Sequence, residues 1–357
     1  MMEPSLGTPR RPGCRPGVRA RHGAPRRLAC AVCALLVLIA PGAGVQAETR
    51  WGPFLYRSQA LLDAVLFGFE HEWPAFDAPG SWRFENSIDW TNVWDYRADQ
   101  GRIDGESGYV KPALRYTVAT GWDVALEWPV QYLGGGVMDG FIEGFHRALG
   151  LGQSERDRFP RNELRIERYH PDGSTTVIMD DDDSGWYGRA PIVSSRWLVT
   201  RGSPLWPIAL KASVNLPTLE SANRLVESRG HDWGVGLSTT GLLSARWGLS
   251  LGLATIQPRN APVRQEVNLR GGRISAMASL EYSLGRDSAM IFQVVHNSAV
   301  TSATGTMLDL PTTDFLFGWK WAFEDGARRE LGIVEDLLIH DNNIDFGLHY
   351  AYSNRVF

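Results

Sequence analysis

SWRFENSIDWTNVWDY, Ser81 to Tyr96, is the stretch that decides how this chain folds. Trp82, Phe84, Ile88, Trp90, Trp94 and Tyr96 share one parity, and Arg83, Glu85, Ser87, Asp89, Thr91 and Asp95 share the other. Successive side chains of a strand point to opposite faces, so this segment predicts a strand with an apolar medium on one side and water on the other. Aromatics at both ends of the apolar face are what two membrane interfaces select.

The same alternation recurs along the chain. Val124, Leu126, Trp128, Val130 and Tyr132 oppose Asp123, Ala125, Glu127 and Gln131; Ile344, Phe346, Leu348, Tyr350 and Tyr352 oppose Asp345, Gly347, His349, Ala351 and Ser353. Comparable runs lie around 208–216, 247–254 and 314–323. Each is about the ten residues that a tilted strand needs to cross a membrane. With weaker runs filled in, strands are expected near 81–96, 107–118, 122–133, 188–200, 205–217, 232–243, 247–256, 272–283, 288–298, 312–323, 329–338 and 343–357, an even number, as a single-chain bacterial barrel requires. Tight connections at 119–121, 202–204, 244–246, 285–287 and 325–327 alternate with long ones at 97–106, 134–187, 218–231, 257–271 and 299–311. Short turns belong on the periplasmic side and long loops outside. Pro112 and Pro129 sit uneasily in strands, where a ladder donor is lost. The terminal Phe357 is the aromatic that barrel assembly machinery reads, but its parity opposes that of Tyr350 and Tyr352, so a bulge near Ser353-Asn354 or a frayed end is expected.

Composition agrees. Residues 1–47 carry seven Arg and one acid, Glu3, then the apolar run Leu28 to Ala40 and the small-residue site Val45-Gln46-Ala47, the order of a cleavable secretory signal. Without them 310 residues remain, with 29 bases (36 less 7) and 39 acids (40 less 1), a charge of about −10 that offers no basic face to nucleic acid. The three cysteines, Cys14, Cys30 and Cys33, fall in the leader, which excludes a disulfide scaffold or thiol enzyme after export. All 38 aromatics fall outside it. After the leader no segment approaches the ~20 apolar residues of a membrane-spanning helix. A soluble two-sheet sandwich also alternates, but it has no reason to keep one face of every strand bulky over a membrane thickness.

The expected class is therefore an all-β, antiparallel up-and-down transmembrane barrel of about twelve strands in the outer membrane of a Gram-negative bacterium. Residues 48–80 precede it as a periplasmic arm or a plug; Leu61, Leu62, Val65, Leu66 and Phe69 keep helical spacing there. The insertion 134–187 is too long for a simple loop. It predicts a short helix from Asp139 with Met138, Phe141, Ile142, Phe145 and Leu149 on one stripe, and a hairpin turning at Pro171-Asp172-Gly173. The string GGGVMDGFIEGFHRALGL at 134–151, with RDRFPRN at 156–162, resembles the signature of domain-of-unknown-function family 3187, a proteobacterial outer-membrane barrel family. The resemblance implies location and fold, and no activity.

No nucleotide loop, HExxH pair or GxSxG elbow is present, and no cofactor or reaction is expected. The inward parity gives the candidate lumen residues Arg83, Glu85, Asp89, Lys111, Arg115, Glu127, Arg196, Lys211, Glu281, Asp314, Lys320 and Asp345. Mixed charge of this kind either lines an open pore or interlocks as filler. Asp139, Phe141, Glu143, Phe145, His146 and Arg147 are the candidate constriction, folding toward the mouth. Asp180, Asp181, Asp182 and Asp183 offer hard oxygens to a divalent cation bridging to lipopolysaccharide, or are simply a hydrated run. The favoured function is a channel or transporter for small solutes. The alternatives are a structural barrel, and a lipid-acting enzyme resting on His296, Asn297 and Ser298. Expected partners are outer-membrane lipid and lipopolysaccharide, the assembly machinery through Phe357, and a small solute.

Overall fold

A computed structural model describes residues 51–150, 155–200, 206–217, 226–228, 230–262, 268–302, 304–335 and 344–356. The secretory signal expected at 1–47 and the terminal Phe357 lie outside them. Twelve antiparallel strands close into one barrel. They are β1 (Trp82–Arg97), β2 (Gly101–Ala119), β3 (Trp122–Glu127 continued by Val130–Gly134), β4 (Gly185–Gly188 continued by Ile192–Leu198), β5 (Ile208–Asn215) and β6 (Trp233–Leu242). The second half holds β7 (Trp247–Gln257), β8 (Arg273–Ser283), β9 (Ser288–Asn297), β10 (Thr312–Ala322), β11 (Arg328–Glu335) and β12 (Ile344–Arg355). Each strand pairs with its chain neighbours, and β1 closes the ring on β12 from Arg83 opposite Arg355 to Val93 opposite Ile344.

The period-two reading places side chains as expected over the middle of the strands. Ile88, Leu126, Leu237 and Leu253 point out and are exposed, flanked near the short turns by Trp82, Trp122, Trp197 and Trp247. Asp89, Glu127, Ser238 and Ala254, one residue along, are buried inside. Pro129 breaks β3 between Glu127 and Val130, and its carbonyl accepts from the Arg189 amide. Pro112 is carried within an unbroken β2, where its carbonyl accepts from the Trp128 amide at 2.9 Å.

Three local expectations are corrected. Residues 97–106 are not a long loop: β1 and β2 run on as a tall hairpin joined by residues 98–100, and Gly101–Asp104 pair with Arg165–Arg168 of the insertion. Trp94 and Tyr96 at its top therefore meet Phe159 rather than lipid, with Trp94 6% exposed. The β1–β12 register is continuous through Ser353 and Asn354 and shifts instead between Asn92 and Val93, at the opposite end.

Residues 51–76 run inside the barrel. The apolar spacing of 61–69 yields only one helical turn, α1 (Leu61–Ala64), in a segment tied to the wall on both sides, with Arg57 taking up the carbonyls of Asp63, Ala64 and Leu66. Phe54, Leu61, Leu62, Val65 and Leu66 pack against inward Met277, Ile291, Val295, Leu316, Val334 and Ile344 of β8 to β12. The inner surface of that half thus carries an apolar patch among its polar residues, and burying each large plug side chain there contributes roughly 1.5–3 kcal/mol. Wall glycines make room elsewhere: a Cβ on Gly236 would stand 2.7 Å from the Phe69 ring, and one on Gly252 would collide with His71.

Candidate functional site

The opposite wall, β2 to β5, is charged. Lys111 and Arg115 of β2, Arg196 of β4 and Lys211 of β5 project inward in one layer with Asp123 and Glu127 of β3. The plug answers with Glu70 and Glu72. Glu70 pairs with Lys111, and Glu72 takes Arg115 at 2.7 Å, Arg196 at 3.0 Å and Lys211 at 2.6 Å. Glu127 lies 3.3 Å from Lys111, while Arg115 reaches Asp123 at 3.0 Å and Glu85 at 3.1 Å. Buried charges are tolerated only when paired and hydrogen-bonded, and these are. Burial alone would raise the Glu72 carboxyl, but Arg115, Lys211 and Arg196 hold it well below the usual carboxylate range. Between the glutamates sits His71, whose ring meets the Ser275 hydroxyl at 3.0 Å. Burial, with Lys211 nearby, pulls this imidazole down to about 3, so it is neutral at pH 7.

Across the lumen the contacts are sparser. The Trp51 and Gly52 amides donate to Glu281 at 3.2 and 2.9 Å, the Phe54 amide donates to Gln293 at 2.7 Å, and the Tyr56 hydroxyl donates to Asp314 at 3.0 Å. Lys320 pairs with Glu330 at 2.7 Å, and His349 bridges Asp89 (2.7 Å) and Glu330 (3.4 Å). Asp63 of α1 pairs with Arg273. At the short-turn end Asp77 clamps Arg83 of β1 (2.7 Å) and Arg355 of β12 (2.9 Å), across the seam that closes the barrel. Burial raises the Asp77 carboxyl, but hydrogen bonds from Arg83 and Arg355 outweigh it and leave it below its ordinary range. Beside this clamp a void of about 130 Å³ remains, lined by Trp73, Phe76, Arg115, Arg196, Lys320 and Arg328. It is well below the few hundred Å³ of a ligand pocket.

Eleven of the twelve inward candidates thus stand in the lumen, each against the plug or a wall partner. Asp345 does not. The register shift that pairs Asn92 with Phe346 and Val93 with Ile344 leaves Asp345 as the extra residue, and its carboxylate meets Arg156 (3.2 Å) and His146 (3.9 Å) of the insertion. One inserted residue changes which side a strand position serves.

The candidate constriction is also corrected. The helix α2 (Asp139–Leu149) lies on the outer face of β1 and β12, not in the mouth. Phe141 and Phe145 stack on each other and meet Phe346 at steep angles, Asp139 accepts from Asn92 at 3.0 Å, and Glu143 accepts from Arg161. Asn92 shares the parity of exposed Phe84 and Ile88. His146 faces Asp345, and Arg147 is exposed. The aspartate run folds as a capped turn rather than a cation cage: Asp180 accepts from the Asp182 amide, Asp181 from Leu164 and Asp183 from Asp180. Among the described residues no group of three or more metal-ligating side chains converges. The His296 trio is likewise scattered, His296 meeting Thr313 and Ser298 accepting from the Ile274 amide.

Sequence reasoning did not single out Glu70, Glu72, Glu330, His349 or Arg273. Parity could have found the last three, since Leu331, Leu348 and Ile274 beside them are exposed on the lipid face. The plug glutamates carry no periodic signal.

A closed twelve-strand sheet, apolar and aromatic outside and polar within, defines a transmembrane β-barrel. The chain belongs to the family described as protein of unknown function DUF3187, whose model matches residues 30–356. No curated protein matches the sequence. Among solved structures it is similar to an outer membrane channel from Pseudomonas putida F1, with 11% identity over 79% of this chain and 97% of that one and a TM-score of 0.49. It is also similar to a FadL homologue from Pseudomonas aeruginosa, with 8% identity over 78% and 92% and a TM-score of 0.39. The toluene transporter TodX of P. putida follows with 9% identity over 78% and 91% and a TM-score of 0.36.

Proposed function

We propose that this protein is a channel for small polar solutes in the outer membrane of a Gram-negative bacterium, held closed by its own residues 51–76, and not an enzyme. The observation that carries the reading is the way the plug is held. Its charged side chains pair with wall charges on β2 to β5 that would otherwise line a twelve-strand lumen, which is wider than side chains alone fill. Conduction then requires the plug to leave or shift, a two-state step.

The exported chain has no cysteine, so a tether can be introduced cleanly. Gln59 and Ser107 touch at 3.3 Å, and Q59C/S107C joined by a cleavable bifunctional thiol reagent fixes plug to wall. In planar bilayers the tethered protein stays silent and reductive cleavage restores brief openings. Silence of the wild type, the cleaved variant and a barrel lacking 51–76 alike would remove the channel reading. The small void left beside the plug favours a second reading in that case, a structural barrel with a permanently filled lumen.

A further inference from the structure

The plug offers the charged wall two carboxylates from one short extended stretch, Glu70 and Glu72. Residues i and i+2 of an extended chain point to the same side, about 7 Å apart. The Glu72 carboxylate is held by three cations from three different strands, and the geometry of forks and ammonium groups around it is what a free carboxylate would need. Lys211 also donates to the Glu70 carbonyl at 3.4 Å, and the Ser238 hydroxyl donates to the Glu72 carbonyl. Without the plug, the four cations face three wall carboxylates, Glu85, Asp123 and Glu127, and the layer is left with excess positive charge in a confined space.

We infer that Lys111, Arg115, Arg196 and Lys211 form the channel's solute subsite, that it takes small aliphatic dicarboxylates, and that Glu70 and Glu72 occupy it as built-in surrogates. A dicarboxylate whose carboxyl groups sit about 7 Å apart, the separation of side chains two residues apart in an extended chain, competes with the plug for the same cations. A monocarboxylate of equal length replaces half of the contacts and competes poorly. This inference rests on the plug-gated reading, and it adds which chemistry the gate answers to.

The test uses the full exported chain and adipate as the probe, with hexanoate as control. E70Q/E72Q keeps the plug's length and shape but removes its claim on the cations. Heat-modifiable gel mobility establishes that the variant is a folded barrel. By calorimetry in detergent, adipate is expected to bind E70Q/E72Q at least about tenfold more tightly than wild type, because the wild-type subsite is free only in the minor, undocked population. Hexanoate should bind neither. In bilayers, adipate should raise the open probability of wild type and leave that of E70Q/E72Q unchanged. Equal adipate affinity for both proteins, or no preference for adipate over hexanoate, overturns the subsite even if the variant conducts. Adipate binding with no conductance from either protein upholds the subsite and sinks the gated channel.

Discussion

The two walls of the lumen hold the same plug by different physics. On β8 to β12 the contact is mainly hydrophobic, with Phe54, Leu61 and Leu66 against Ile291, Leu316 and Val334, beside single polar ties such as Tyr56 to Asp314 and Asp63 to Arg273. On β2 to β5 it is ionic, with Glu70 and Glu72 against four buried cations. The apolar side stabilises in proportion to area and is indifferent to which partner covers it. The charged side contributes little net stability, since desolvation offsets most of the attraction, but it is specific and answers to other anions. A plug fixed by both is seated firmly yet can be addressed chemically from one side.

The sharpest way to break the contrast is Arg115→Met, which takes one cation from each of Glu72, Glu85 and Asp123. Removing one member of a buried ion network costs about 3–5 kcal/mol. Plug docking should be lost, read as rapid hydrogen exchange of residues 51–76 while the strands stay protected. Retained protection would mean the ionic wall is dispensable. A smaller disturbance comes from Gly236→Val, which leaves every charge in place but intrudes on Phe69; overpacking of this kind costs about 1–3 kcal/mol. Its openings should keep the wild-type response to adipate, whereas a lost response would tie Phe69 to the charged layer.

Acid provides a third probe. Because the docked His71 ring sits at about 3, below the ordinary value near 6.5, docking is favoured by the neutral ring above pH 6.5 and this contribution falls away as pH drops from 6.5 toward 3. Undocking at pH 5 should be easier by about 2 kcal/mol, at 1.36 kcal/mol per pH unit below 6.5. H71N should flatten the pH dependence of open probability over that window, and a profile unchanged by the substitution would assign the effect to other groups. The smallest effect is expected for Asp77→Asn at the seam clamp, at most about 1 kcal/mol because the site is partly solvated. The clamp contributes above the ordinary carboxylate range and is lost only in strong acid, since the Asp77 pKa is depressed.

The barrel was legible because lipid imposes one rule on every strand. Bulk on alternate residues places Trp82, Leu126, Leu237 and Leu348 outside whatever the partners are, and nothing distant in sequence is needed to read it. What occupies the inside was not legible. The plug's bonds join Trp51 to Glu281, Glu72 to Lys211 and Asp63 to Arg273, groups that share no local pattern and meet only when the sheet closes. The place of Asp345 was hidden too, because a single extra residue opposite Asn92 turned it away from the lumen and toward Arg156 and His146 of the insertion. Periodicity along the chain therefore determined which medium each strand face meets. Closure and register, which depend on contacts across hundreds of residues, decided that the lumen is filled and by what.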